Sequence, residues 1–202
     1  MRAFHSAFPD VDLRFQLISG SLKGPIGNVD LGMRRTEPGV KDAWTTEFAP
    51  EIILPVCSPS YLSANGPIES NSTSASHVLI QLSDSEIDWR SMLPRSAHTR
   101  IPHGNWIEFS DYAVVIQTAM SGQGIALGWV SAISRGLLDG TLVPASRLRK
   151  VTGNTFSLVA PRGRALPKIV PEIRNWMIAE MRQDLDRLEP MLGAASLGGR
   201  RD

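Results

Sequence analysis

Residues 105–129, NWIEFSDYAVVIQTAMSGQGIALGW, carry the clearest pattern in the chain. Residues 105–109 read as a strand that runs into Ser110-Asp111, a pair able to head a helix. Tyr112, Val115, Ile116, Ala119 and Met120 then recur at i, i+3, i+4, i+7 and i+8, the apolar stripe of an amphipathic helix. Gly122 stops that helix, and residues 125–129 follow as a buried strand. Strand, helix and strand in direct succession are the repeating unit of an α/β fold.

The pattern continues on both sides. Upstream, residues 1–8 read as the end of a helix stopped at Pro9-Asp10, and residues 11–17 alternate apolar and polar as a half-buried strand. Further strands are expected at residues 29–33, 44–48 and 52–57. Ser58 can cap a helix whose first residue is Pro59, where a missing N–H costs nothing. Residues 65–76 are polar and suit a surface loop, residues 78–82 a strand, and residues 89–93 a short helical turn. Downstream, residues 136–144 are rich in turn formers and residues 156–160 form a strand. A last helix starts near Pro171 and ends before Pro190, and residues 193–202 read as a frayed tail.

Composition narrows the function classes. The chain has 202 residues, 42% hydrophobic and 20% charged, with 21 basic and 20 acidic side chains and a net charge of +1. Such balance gives no electrostatic argument for nucleic acid, an anionic membrane or an acidic substrate. The single cysteine, Cys57, rules out an intramolecular disulfide and a multi-cysteine metal site, and fits a reducing compartment. Asp10, Asp12 and Arg14 interrupt the stretch where a signal peptide would need its apolar run, so a cytoplasmic chain is expected.

Motifs for covalent chemistry are missing. Gly122-Gln123-Gly124 with Gly128 follows a helix and precedes a strand, the reverse of a dinucleotide-cradling turn. His5, His77, His98 and His103 are scattered without partners at metal-ligand spacing, so neither a metal nor another cofactor is expected. Cys57 sits in an apolar run, where a thiol is inert packing, and Asp84, Glu86 and Asp88 fall in a polar loop where a solvated face is the ordinary reading. The helix starts at Ser58-Pro59 and Ser110-Asp111 are different, because each follows a strand. Two such N-termini facing one crevice would favour a carboxylate, with Arg34 and Arg35 adding charge-assisted contacts. The alternative, that the serines only cap helices and the arginines are solvated, stands beside it.

Several stretches, in order and at their spacing, give the chain a family resemblance. They are Phe8-Pro9-Asp10-Val11-Asp12-Leu13, Asn28-Val29-Asp30-Leu31-Gly32-Met33-Arg34, Leu54-Pro55-Val56-Cys57-Ser58-Pro59-Ser60-Tyr61-Leu62, and Phe109-Ser110-Asp111-Tyr112 through Gly128. Gly140-Thr141-Leu142-Val143-Pro144, Leu158-Val159-Ala160-Pro161 and Ile173-Arg174-Asn175-Trp176-Met177 extend the match. The chain resembles the effector-binding domains of LysR-type transcriptional regulators, in the glycine-cleavage activator branch.

That resemblance implies two Rossmann-like α/β subdomains of the periplasmic-binding-protein type II architecture. Residues 1–54 and 156–190 would form one and residues 55–155 the other, joined by crossover strands near residues 54–57 and 156–160, with residues 191–202 a disordered tail. A small anionic or zwitterionic effector would lie between them, touched by Arg34, Arg35, Ser58, Ser110, Asp111, Gly128 and Trp129. The implied mechanism is a population shift in a homodimer or homotetramer, with no catalysis. The same resemblance puts residues 1–8, 11–17 and 112–121 at the dimer interface, with apolar surface exposed at Phe4, Val115 or Ile116. The family's N-terminal winged helix-turn-helix, linker helix and first strand are not in this sequence, so DNA contact is expected only through a domain outside it. Residues 71–76 replace an aspartate-leucine pair that leads a short helix in the family. A cytoplasmic small-molecule-binding module of the same fold, unconnected with transcription, is the alternative.

Overall fold

The computed structural model describes residues 2–16, 22, 26, 28–37, 44–68, 77–93, 105–163 and 165–192. In chain order the elements are α1 (Arg2–Ala7), β1 (Gly32–Thr36), β2 (Thr45–Cys57), α2 (Pro59–Asn65), β3 (Leu79–Leu82), α3 (Trp89–Met92), β4 (Trp106–Phe109), α4 (Tyr112–Met120), β5 (Ile125–Trp129), α5 (Val130–Asp139), β6 (Val143–Pro144), β7 (Lys150–Val159) and α6 (Ile169–Leu192). The strands form one sheet in the order β1-β7-β2-β5-β3-β4, with β6 on β2. β3 is parallel to β4 and β5, whereas β7 is antiparallel to both β1 and β2.

β2 ties the two halves of the sheet together. From Thr45 to Ile53 it pairs with β7, and from Ile53 to Val56 it pairs with β5. Its side chains alternate between two cores, as the pleat requires. Ile52, Leu54 and Val56 face one core with Ile80, Ala126 and the apolar stripes of α4, α5 and α6. Ile53 and Cys57 face the other with Leu79, Ile125, Leu127 and residues of α2 and α3, among them Tyr61 and Trp89. Each fully buried Ile or Leu contributes roughly 1.5–3 kcal/mol, so the shared strand anchors both layers.

The expected helix at residues 112–120 and the strands at 79–82, 106–109 and 125–129 are present, and Gly122 ends α4 with a φ of 76°. Elsewhere the structure corrects the expectation. No strand forms at residues 11–16, although Val11 and Leu13 are half-buried, and Phe15 is 76% exposed. Alternation supplies a face, but a strand also needs a neighbour for its N–H and C=O groups. The outer edge of β1 gives the Arg35 N–H to the Leu22 carbonyl at 2.9 Å instead. The strand expected at residues 29–33 lies at Gly32–Thr36.

Residues 44–48 and 52–57 belong to one strand, because Pro50 and Glu51, which look like an interruption, sit inside β2 at a register shift. α5 takes in residues 136–139 of the turn-rich passage expected at 136–144. Val130, Ile133 and Leu137 lie on its buried side, and Gly136, which reads as a turn former, packs against Leu142. α6 begins at Ile169 and runs through Pro190 to Leu192. Leu188 and Leu192 are both buried one turn apart, and the Arg149 guanidinium donates to the Leu192 carbonyl, one of the helix-end acceptors with no partner inside the helix. Of the three residues expected to show apolar surface, Phe4 is buried against Phe8 and Trp176 and Val115 is buried in the core, while Ile116 is half-buried. Val114 is the α4 residue that is 41% exposed. Residues 69–76 and 193–202 lie outside the described residues.

Candidate functional site

Where β2 passes from β7 to β5, the ladder holds a wide irregularity. Pro50 pairs with Thr155 and Ile52 with Val151, so Thr152, Gly153 and Asn154 all stand opposite Glu51. Gly153 makes this bulge possible with a φ of 85°, a left-handed conformation that costs glycine little. The bulge turns two side chains onto the Glu51 carboxylate: Thr152 Oγ1 donates to Oε2 at 2.5 Å and Asn154 Nδ2 to the same oxygen at 3.1 Å. Arg35 Nε on β1 donates to Oε2 at 2.9 Å, and Trp129 Nε1 at the end of β5 donates to Oε1 at 3.1 Å.

Glu51 is therefore a buried acid held by four donors from three strands. Burial alone would raise its pKa. The hydrogen bonds from Thr152, Trp129 and Asn154 and the charge of Arg35 outweigh burial and hold the carboxyl below its ordinary value. Trp129 is fixed in turn by Tyr112 at the start of α4. Its backbone N–H donates to the Tyr112 hydroxyl at 2.9 Å, and the two rings meet edge-to-face at 5.4 Å. Burial pushes the Tyr112 hydroxyl pKa up, so it stays a neutral phenol.

Arg35 also reaches the loop after β3, where its Nη1 donates to Glu86. That loop is fixed by local bonds: Ser83 N–H to the Phe109 carbonyl at 2.8 Å, Ser85 Oγ to the Ile87 carbonyl at 2.8 Å, and the reciprocal cap between Asp88 and Ser91. Beside it, at the C-terminal ends of β3 and β5, Ile80, Gln81, Leu82, Ile87, Val115, Leu127 and Trp129 line a cavity of about 10 Å³. That is room for about one water molecule. The C-terminal ends of parallel strands are where open α/β sheets bind ligands. The arrangement offers an oriented guanidinium, an indole and an apolar wall, which suits binding a small polar molecule.

Of the residues singled out from sequence, the structure brings Arg35 and Trp129 together on Glu51. Arg34 projects from the opposite face of β1, where it is buried and its Nη1 donates to the Met33 carbonyl at 2.7 Å. Ser58 caps α2, accepting from the Tyr61 N–H at 3.1 Å while its hydroxyl bonds that of Ser60. Ser110 is exposed, and Asp111 is the cap of α4, accepting from the Ala113 N–H at 2.7 Å. Gly128 packs closely, since a Cβ there would lie 2.4 Å from Ile133 Cδ1. Sequence reasoning missed Glu51, Tyr112, Thr152 and Asn154 and read Glu86 as solvated. Glu51 did leave a signal, a lone carboxylate abutting the apolar run 52–57.

The family model for the LysR substrate binding domain matches residues 1–182. The chain belongs to this family. LysR substrate-binding domains are the ligand-binding parts of transcriptional regulators and not enzymes. The glycine cleavage system transcriptional activator of Escherichia coli K12 is 28% identical over 183 residues, 89% of this chain and 59% of that protein. The chain thus spans about three fifths of the length of the curated relatives it matches. Among solved structures, the effector domain of the regulator AmpR of Pseudomonas aeruginosa superposes with a TM-score of 0.61 at 19% identity, covering 93% of this chain and 90% of that one. The AmpR effector-binding domain of Citrobacter freundii gives 0.62 at 16% identity, covering 90% and 89%. The fold is that of these LysR domains, two Rossmann-like subdomains of the periplasmic-binding-protein type II architecture joined by crossover strands.

Proposed function

We propose that this LysR domain senses a small anionic or zwitterionic effector at the Arg35–Glu51–Trp129 cluster. On this reading residues 1–54 and 156–190 form one lobe and residues 55–155 the other, so that Arg35 comes from the first and Trp129 and Glu86 from the second. The observation that carries the reading is that one guanidinium, oriented by a buried carboxylate, ties β1 to β2 and to the loop after β3, beside the C-terminal ends of β3 and β5. A carboxylate on Arg35 would gain charge-assisted hydrogen bonds, and Ile87 and Leu127 would take an apolar body.

Effector contacts that differ between two arrangements of the lobes would shift their populations, and no bond is made or broken. In the whole regulator this shift would act through a homodimer or homotetramer on DNA held by a separate N-terminal domain, in the cytoplasm. Among the described residues no helix is long and apolar enough to cross a membrane.

Thermal unfolding of the chain with a panel of small carboxylates and amino acids tests the reading. A ligand at a hundredfold excess over its Kd raises stability by about 2.7 kcal/mol, and Arg35→Gln should abolish that rise. A panel with no active member, or a rise that survives Arg35→Gln, would overturn the assignment.

A further inference from the structure

Arg35 holds two carboxylates that differ in every respect relevant to exchange. The Glu51 side chain is 3% exposed and bonded also by Thr152, Asn154 and Trp129, whereas the Glu86 side chain is 45% exposed and reaches Arg35 from a loop. Glu51 occupies the Nε edge of the guanidinium and so sets its direction, and Glu86 occupies Nη1. The loop bearing Glu86 is held by Ser83, Ser85 and the Asp88–Ser91 cap, none of which involves the Glu86 carboxylate. The neighbouring cavity, about 10 Å³, is too small for even the smallest carboxylic acid, so an entering ligand must move something. Trp129 is held at both its indole and its backbone N–H, and of the two carboxylates on Arg35 Glu86 is the more exposed, 45% against 3%.

We infer that Glu86 is a built-in competitor for Arg35, a tethered carboxylate that closes the site and must be displaced by the carboxylate of the effector. The inference rests on the reading of Arg35 as the effector's anion contact and goes beyond it, since it makes Glu86 the residue that sets the threshold of response. A half-exposed ion pair holds weakly, so the tether lowers ligand affinity by roughly 1.5- to 5-fold. Being electrostatic and partly solvated, that factor shrinks as salt is raised.

The test uses acetate as the minimal carboxylate and acetamide as its neutral match. Binding is followed by the NMR signal of the Trp129 indole N–H, identified from its loss in Trp129→Phe. Glu86→Ala should bind acetate roughly 1.5- to 5-fold more tightly than the parent chain, with the gap closing at high salt and no response to acetamide. Glu86→Gln, which keeps an uncharged acceptor for Arg35, should fall between them and decides the matter if the alanine variant does not fold. Equal or weaker acetate binding by the Glu86 variants, with Arg35→Gln inactive, overturns the competition and leaves Arg35 as the anion contact. Acetate affinity that is the same with and without Arg35, or no acetate binding by any form, overturns both.

Discussion

Glu51→Gln isolates the centre of the site with almost no change of shape. Three donors converge on Oε2, from Arg35, Thr152 and Asn154, and only Trp129 Nε1 addresses Oε1. A glutamine has one acceptor oxygen, which must take the Oε2 place, so its NH2 then faces the Trp129 N–H, donor against donor. The change loses a charge-assisted bond to Arg35, about 1.5–3 kcal/mol, and orphans a buried donor, about 1–3 kcal/mol. A total near 3–5 kcal/mol agrees with what breaking a buried ion pair costs, and lowers the Tm by on the order of 10 °C for a chain of this length.

The loss must also depend on pH in one direction. The native carboxyl titrates below its ordinary value of 4.5, so its contribution is complete above that pH and disappears as pH falls through the native pKa. Urea unfolding of parent and variant from neutral to acidic pH should show the largest gap at neutrality and a shrinking gap in acid. A variant within about 1 kcal/mol of the parent, or a gap that does not vary with pH, would refute the role given to Glu51.

Gly124→Ala places a Cβ 2.6 Å from the Val78 carbonyl oxygen, which also accepts the Ile125 N–H, so it should cost about 3 kcal/mol or more in denaturant melts; a loss under about 1 kcal/mol would contradict that packing. Burial holds the His77 pKa below its ordinary 6.5, and its Nδ1 has no partner among the described residues. The unfolded chain therefore takes up the proton first, and stability should fall as pH drops below 6.5, a slope that His77→Gln should remove in thermal melts recorded across that range. Cys57 is buried with its thiol pushed up to about 11, so a disulfide reagent at neutral pH should label it only as fast as the chain unfolds; rapid labelling of the native protein would show an open path to it.

Periodicity made much of the fold legible. The stripe Tyr112, Val115, Ile116, Ala119 and Met120 and the short apolar runs beside it fall where α4, β3 and β5 lie, because burial on one face leaves a regular mark. What did not show is whatever depends on a distant partner. The alternation of residues 11–16 is that of a strand, yet no strand lies there, and Pro50-Glu51 looks like a break yet lies within β2. Glu51 is tolerated there because Arg35, Trp129, Thr152 and Asn154 arrive from elements 16 to 103 residues away. The site was half legible for the same reason. Arg35 and Trp129 stand out by type at strand ends, whereas Thr152 and Asn154 act only through a bulge that no local pattern announces.

The sharing of β2 between two cores bears on how the molecule opens. Ile52, Leu54 and Val56 cannot leave one core without carrying Ile53 and Cys57 out of the other, since all five lie on one continuous strand. Partial opening that frees one layer alone is thereby suppressed, and the amides of β2 and β5 should exchange their hydrogens with solvent only through whole-molecule unfolding. Ligand captured at Arg35, a strand away, would then slow exchange throughout that ladder by one common factor, so the occupancy of a small site is written across the backbone of the entire sheet.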